Sequence, residues 1–315
     1  MKYKVFIDGK EGTTGLRIYE RLEKRNDIEL LLIDEEKRKD LEERKKFINN
    51  SDITFLCLPD LAAKEALGLV ENKNVKIIDT STANRCNEEF AYGFPELGLE
   101  FLNKIKKSNR IAVPGCYATG FMSIVYPLIK MGVCANDYPF ACNAISGYSG
   151  AGKKGISQYE NINKDNELYS PRLYALSQMH KHLAEMQYIA GLKEKPLFNP
   201  YIANYYEGML VDIPLYVSRL KKKITPKELH ELFSNYYKDN AFIRVMPFME
   251  NGNESGFLAS NHIVLFDYLE IYISGNEERI NIAALLDNLG KGASGAAIEC
   301  MNILLGLDTK TSLNL

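Results

Sequence analysis

The sequence predicts an α/β protein in two parts, a doubly wound parallel sheet first and an α+β region after it. Three observations carry this. Short apolar runs alternate with helix-like runs across residues 4–113, a glycine-rich turn directly follows the first run, and beyond residue 120 the pattern changes to long alternating segments that suit antiparallel strands.

Length and composition set the frame. At 315 residues the chain is too long for one small core, which predicts two domains. A formal net charge of −2 leaves no basic footprint for nucleic acid or an anionic membrane. No apolar stretch approaches the ~20 residues that span a bilayer. Met1-Lys2-Tyr3-Lys4 runs into a strand-like segment instead of a signal peptide, so a cytoplasmic protein is expected. Six cysteines with no CxxC pair and no regular spacing argue against a disulfide framework or a zinc ribbon, and are expected to be reduced thiols.

Residues 4–8 read as a short buried strand. The turn Gly9-Lys10-Glu11-Gly12-Thr13-Thr14-Gly15 follows with a G-x-x-G-x-x-G spacing, and Leu16, Tyr19 and Leu22 give the next run one apolar helical face. Strand, glycine turn and helix N-terminus together make a phosphate site, because glycine lets backbone N–H groups approach an anion. The spacing departs from G-x-G-x-x-G, and a plain tight turn is the competing reading. Residues 28–34 read as a second parallel strand, ending where a dinucleotide fold meets the adenine ribose. Asp34 there favours NAD, whereas Lys37 and Arg38 offer cations to the extra 2′-phosphate of NADP. The residues alone leave both open, beside a solvated helix or loop over 35–46. Residues 53–58, 75–79 and 110–113 read as further strands, with a helical stretch near 61–70 between the first two. Their ends line up on one edge of the sheet, where ligands bind.

That edge leads into Val113-Pro114-Gly115-Cys116-Tyr117-Ala118-Thr119-Gly120. Pro and Gly before Cys116 mark a strand-to-helix turn that exposes a side chain, with the helix-like run expected from near Thr119. Unpaired N–H groups and the positive end of a helix favour thiolate over thiol, so Cys116 is a candidate nucleophile expected to meet the cofactor site. A small core hydrophobe is the ordinary reading of a cysteine, and it is the one expected for Cys57, Cys142 and Cys300. Cys86 and Cys134 lack apolar flanks and any sign of reactivity.

Residues 140–145 lead into Ser146-Gly147-Tyr148-Ser149-Gly150-Ala151-Gly152-Lys153-Lys154, which reads either as a surface loop or as an anion-binding loop. Gln178-Met179-His180-Lys181-His182-Leu183-Ala184-Glu185 holds two of the four histidines. On a helix His182 and Glu185 share a face, so the carboxylate can orient the imidazole that a cysteine needs as general base and then as general acid. His180 and His182 leave a helix on different faces and no third ligand lies nearby, so no metal site is expected, and surface histidines are the competing reading. Residues 209–216 and 265–274 alternate as antiparallel strands. A helix of small and apolar residues over 296–307 closes the chain, and it is expected to pack back on the first domain.

Seven motifs occur in order: the Gly9/Gly12/Gly15 turn, Ser81-Thr82-Ala83-Asn84-Arg85, Tyr92-Gly93-Phe94-Pro95-Glu96, Pro114-Gly115-Cys116-Tyr117-Ala118-Thr119, Ser146-Gly147-Tyr148-Ser149-Gly150-Ala151-Gly152, His180-Lys181-His182 with Glu185, and Asp287-Asn288-Leu289 with Lys291-Gly292-Ala293. Through them the chain resembles, over nearly its whole length, the N-acetyl-γ-glutamyl-phosphate reductase family of arginine biosynthesis in its shorter form. The resemblance implies a Rossmann-type doubly wound sheet with a second, semialdehyde-dehydrogenase-like α+β domain. It also implies NADP as cofactor, a small-molecule substrate and a homo-oligomer, dimer or tetramer. By the same resemblance Cys116 attacks the acyl phosphate and expels phosphate, and the thioester takes a hydride from NADPH. The thiohemiacetal then collapses to N-acetylglutamate 5-semialdehyde, with His182 as base and Glu185 as its orienter. Substrate contacts are implied for His180, Arg85, Arg110, Ser149 and Lys153. Cofactor contacts are implied for Gly9, Gly12, Thr13, Thr14, Gly15, Lys37, Arg38, Ser81, Gly150 and Asn288.

The domains expected are 1–116, completed by a C-terminal helix within 290–315, for the dinucleotide, and 117–289 for catalysis and oligomerisation. A related aspartate- or aminoadipate-type semialdehyde reductase, sharing Cys116 and the glycine turn, is one alternative. A dinucleotide-binding protein with an inert Cys116 is the other.

Overall fold

The computed structural model describes residues 2–315. The chain divides into two compact units, one running to Gly115 and including Ala293–Asn314, the other formed by Cys116–Gly292 with Leu315.

The first unit runs β1 (Tyr3–Asp8), α1 (Thr13–Leu22), β2 (Ile28–Leu31), α2 (Leu41–Asn50), β3 (Ile53–Leu56), α3 (Asp60–Gly68), β4 (Lys76–Asp79), β5 (Ala91–Tyr92), α4 (Leu99–Lys107) and β6 (Arg110–Ala112). The six strands lie in the order β2-β1-β3-β4-β6-β5 with every pairing parallel. β1 shows why its apolar run is continuous. Val5 and Ile7 join a core with Ile18 and Leu22 of α1 on one face, while Phe6 joins Ile48 of α2 and Ala66 of α3 on the other. A parallel strand covered on both faces needs apolar residues at successive positions. The charge-rich segment after β2 is a 3₁₀ turn, Glu35–Lys37, followed by α2, which Asp40 caps by accepting from the N–H groups of Glu42 and Glu43 at 2.9 and 3.0 Å.

The second unit runs α5 (Cys116–Lys130), β7 (Ala141–Gly147), α6 (Gly152–Glu160), β8 (Arg172–Leu173), α7 (His182–Ala190), β9 (Leu197–Ala203), β10 (Met209–Tyr216), α8 (Pro226–Tyr236), β11 (Ile243–Val245), β12 (Leu269–Gly275) and β13 (Arg279–Leu286). Its seven-stranded sheet has the order β11-β12-β13-β10-β7-β9-β8. The sheet is mixed: β7 pairs with β9 and β11 with β12 in parallel, and the other pairings are antiparallel. β10 alternates, with Met209, Val211, Ile213 and Leu215 buried and Pro214 and Tyr216 exposed. Helix α5 covers the buried side, and 11 of its 15 residues are themselves buried, so it is enclosed on nearly every face. It opens at Cys116, earlier than the apolar periodicity from Thr119 indicates.

Helix α9 (Gly295–Leu305) belongs to the first unit, where Ala296, Ala297, Ile298, Cys300 and Met301 pack in the same core as Val5 and Ile7. Two boundaries differ from those expected. Cys116 is the first residue of α5 and Gly292 lies against it, so both belong to the second unit, and Leu315 packs with Ile263 and Tyr268 there. No helix among the described residues is long and apolar enough to cross a membrane.

Ile298 is fully buried on α9. Ile298→Ala is expected to lower unfolding free energy by about 2–5 kcal/mol, the usual cost of emptying a core aliphatic site. Urea unfolding followed by circular dichroism checks this, and an unchanged midpoint contradicts a core role for α9.

Candidate active site

In the first unit the site starts at the end of β1. Gly9 has φ +86°, and a Cβ there would lie 2.3 Å from the Cys57 carbonyl oxygen, while one at Gly15 would lie 2.5 Å from that of Gly9. Only glycines let the turn fold this closely on itself and on β3. Gly12 caps α1 with no side-chain bond, and no carboxylate occupies the first turn, where Thr13 and Thr14 sit. That leaves an uncapped, positive helix end suited to an anion.

A cavity of about 830 Å³ opens beside the turn, walled by Gly9, Gly12, Asp34, Arg38, Lys39 and Pro59 among others. Its size suits a cofactor-sized ligand. Lys37, expected at this wall, is exposed on the 3₁₀ turn and does not line it; Arg38 does, and so does Lys39, which the sequence reading missed. Successive residues of a 3₁₀ turn point about 120° apart, which separates the neighbours. Arg44 is buried at the cavity. Its Nε and Nη2 donate to Asp8 Oδ2 at 3.1 and 2.9 Å, and its Nη1 donates to Glu65 Oε1 at 2.6 Å. Burial raises the Asp8 carboxyl above its usual range, with the bonds from Arg44 opposing.

Other expected contacts at the sheet edge are committed to the scaffold. Fully buried Asp79 accepts from Ser81 N–H at 2.8 Å, Ser81 Oγ at 2.9 Å and Asn84 Nδ2 at 2.7 Å. Arg85 is buried, with Nε donating to the Val113 carbonyl at 2.9 Å and Nη2 to that of Thr80 at 3.1 Å, so it ties two strand ends together. Arg110 needs correcting as a substrate contact. It is the first residue of β6, at the amino edge of the parallel sheet, and its Nη1 donates to the carbonyls of Val75 and Asn109 at 3.1 and 3.0 Å.

In the second unit Cys116 opens α5, half-buried, and a Cβ at Gly292 would lie 2.9 Å from its own. Beside it, the Tyr117 ring lies 5.9 Å from both His180 and His182, and 5.2 Å from Phe198. The two imidazoles meet edge to face at 4.7 Å and 90°, and His182 N–H donates to His180 Nδ1 at 3.2 Å. His182 and Glu185 are both buried in the first turn of α7. Tyr174, which the sequence reading missed, donates its hydroxyl to that of Tyr117 at 2.9 Å. Burial raises both phenols, and the nearby negative charge of a Cys116 thiolate adds to the rise.

Ser149 and Asn288 come together, but with each other: Asn288 Nδ2 donates to Ser149 Oγ at 2.8 Å and its Oδ1 accepts from Gly208 N–H at 2.9 Å. Ser149 is fully buried, so its expected substrate contact is corrected to a latch, and the amide of Asn288 is likewise used internally. Gly150 is exposed beside Asn288, and Lys153 is exposed in the first turn of α6. Among the described residues no cluster of three His, Cys, Asp or Glu side chains has a metal-holding arrangement.

Comparison with known proteins agrees with this layout. Residues 4–105 match the semialdehyde dehydrogenase NAD-binding domain, and residues 116–288 match the semialdehyde dehydrogenase dimerisation domain. The N-acetyl-gamma-glutamyl-phosphate reductase 2 of Nostoc sp. is 42% identical, with 99% of each chain covered. The chain belongs to the N-acetyl-γ-glutamyl-phosphate reductase family. The reductase of Brucella ovis is 40% identical over 97% of this chain and 100% of its own. Among solved structures, aspartate semialdehyde dehydrogenase II of Vibrio cholerae has a TM-score of 0.73 at 15% identity, covering 97% of this chain and 99% of that one. That likeness shows a shared fold alone, whereas the sequence identity places the chain with the glutamyl-phosphate enzymes. The chain is thus an oxidoreductase that uses a nicotinamide dinucleotide.

The thiols differ in a way that labelling reads directly. Burial pushes Cys57 and Cys134 up to about 12 and raises Cys142 as well. At pH 8, below those values, they are neutral, with a thiolate fraction of ~10⁻⁴ or less. Limited iodoacetamide at pH 8 is expected to label Cys116 first and exposed Cys86 next, leaving those three untouched in the folded protein. Peptide mapping that finds Cys57 or Cys142 labelled before Cys116 contradicts the site.

Proposed function

We propose that this chain reduces N-acetyl-γ-glutamyl phosphate to N-acetylglutamate 5-semialdehyde with NADPH, through a thioester on Cys116. The observation that carries the reading is the thiol at the amino end of buried helix α5, beside the Tyr117–His180–His182 ring cluster.

His182 takes the thiol proton, and the thiolate, stabilised by the helix end, attacks the acyl carbon. The tetrahedral adduct breaks its C–O bond to phosphorus, and His182 returns the proton to the departing phosphate, leaving the thioester. The hydride that reduces the thioester is what the bound dinucleotide supplies. The resulting alkoxide re-forms its carbonyl, the C–S bond breaks, and the aldehyde leaves Cys116 as thiolate. We assign Glu185, one helical turn from His182, to orienting the imidazole. We assign His180 and Lys153 to the anionic groups of the substrate.

Gly9, Gly12, Thr13, Thr14 and Gly15 fit a dinucleotide pyrophosphate, since the close fold of the turn, which a Cβ at Gly9 or Gly15 would break, leads into the uncapped end of α1. Arg38 and Lys39 at the cavity wall favour NADP, because Arg44 is already paired with Asp8 and Glu65. A cytoplasmic location fits six cysteines without a disulfide. We also propose a homo-oligomer formed through the sheet face opposite α5. Leu197, Tyr201 and Tyr216 are 63, 36 and 61% exposed there, too apolar a surface for a lone copy.

Absorbance at 340 nm, on mixing the protein with the semialdehyde, phosphate and NADP, is expected to rise only when phosphate is present. Cys116→Ala should lose roughly 10⁴-fold or more of that rate. Activity with aspartate semialdehyde instead contradicts the substrate. Arg38→Ala with Lys39→Ala should raise KM for NADP about 10-fold or more and leave KM for NAD within about 2-fold, as expected when 2′-phosphate charge pairs are removed. Light scattering on a size-exclusion column should give at least two copies, and Tyr216→Glu should shift the population towards monomer.

A further inference from the structure

The segment that delivers His180 is held in an unusual way. Ala175 and Gln178 both have left-handed backbones, φ 54° and 55°, without being glycine. Such conformations persist where the surroundings over-determine them, and they gather at functional sites. Here the surroundings are visible. β8 pairs with β9 at Arg172↔Ile202 and Leu173↔Tyr201, and Tyr174 N–H still donates to the Pro200 carbonyl at 3.0 Å. The chain then leaves the ladder in a turn closed by Gln178 N–H on the Ala175 carbonyl at 2.9 Å.

Phe198, next along β9 and only 1% exposed, would be left with a buried N–H and C=O on that side. The side chain of Gln178 meets both. Its Nε2 donates to the Phe198 carbonyl at 2.8 Å, and its Oε1 accepts from Phe198 N–H at 2.9 Å. One side-chain amide thus continues the ladder where the backbone departs. The Phe198 ring packs in turn on His180 at 5.0 Å and on Tyr117 at 5.2 Å.

We infer that Gln178 is a positioning residue for proton transfer. It docks the histidine segment on β9, and through Phe198 and His180 it sets His182 against Tyr117, the neighbour of Cys116. This rests on the reading of Cys116 and His182 given above. Gln178 touches no reacting atom in this account, so its loss should move the histidine and not the affinity for substrate.

The test uses the full chain with Gln178→Leu, which keeps the bulk and removes both bonds, and Gln178→Gly, which removes them and relaxes the left-handed backbone. Both are expected to lower kcat roughly 10- to 100-fold, as for a misplacement near 1 Å, while KM stays within about 3-fold. The pH profile of Cys116 alkylation is expected to move upward, because the imidazolium that favours the thiolate is displaced. Gln178→Gly keeps the measurement informative if the leucine variant folds poorly. Variants with unchanged kcat and alkylation profile, whether or not their melting temperature falls, overturn the role of Gln178 alone. A Cys116→Ala protein that keeps its activity overturns the site reading beneath it, and the role of Gln178 with it.

Discussion

Burial of helix α5 on nearly every side is the constraint on which the second unit depends. A helix packed on one face can roll or slide a little; one enclosed by sheet and helix cannot, because cores are packed to crystal-like density. Its first residue, Cys116, therefore sits at a determined point, with helical N–H groups beneath it. Gly292 is the complement of this rigidity. Cys116 cannot move away, so the helical turn Gly290–Ser294 that passes it must carry no side chain at residue 292. The aromatic ring of Tyr117, one residue on, then gives both histidines a surface whose position is equally determined.

The first unit solves a different problem by the same means. Gly9 and Gly15 let the turn after β1 pack directly against carbonyl oxygens, where any side chain would collide. The charge balance around the cavity is set by pairing. Buried Arg44 lies between Asp8 and Glu65, and its guanidinium gives two bonds to a single oxygen of Asp8 and one to Glu65. Removing either acid would leave a buried cation short of a partner, so this trio acts as a rigid floor and not as a ligand group. On the exposed side Lys39 lines the cavity, and Arg38 meets only exposed Glu35, at 3.8 Å.

Much of this was legible in the sequence, for identifiable reasons. β1 and α1 were readable because one centres on the consecutive apolar residues Val5, Phe6 and Ile7 and the other repeats at helical spacing. Cys116, His182 and Glu185 were readable as candidates because of residue type and local order alone. Tyr174, Phe198 and Gln178 were not, since their contacts exist only once β8 and β9 have paired, and no local pattern specifies that pairing. The parallel pairing of β7 with β9 was invisible for the same reason. Arg44 was hidden differently: in Leu41–Asn50 it lies among charged residues that read as a solvated face, and only the buried carboxylate of Asp8 draws it inward.

The polar residues assigned to ligands and then found in the scaffold share one cause. Ser81, Arg85, Ser149 and Asn288 all stand where a strand ends and the chain turns inside the protein. A buried turn has backbone groups that no ladder satisfies, and each needs a partner from a side chain or water. Hydroxyls, amides and guanidinium groups are therefore required at those positions whether or not a ligand is near. Arg85 on the Val113 and Thr80 carbonyls, and Asn288 on Gly208, meet that need directly. Polar residues at a strand end thus mark the edge where ligands bind without saying which of them touch the ligand. Exposure separates the two kinds of residue here: Lys39 and Lys153 each face outward in their own unit, while the buried polar groups hold the turns.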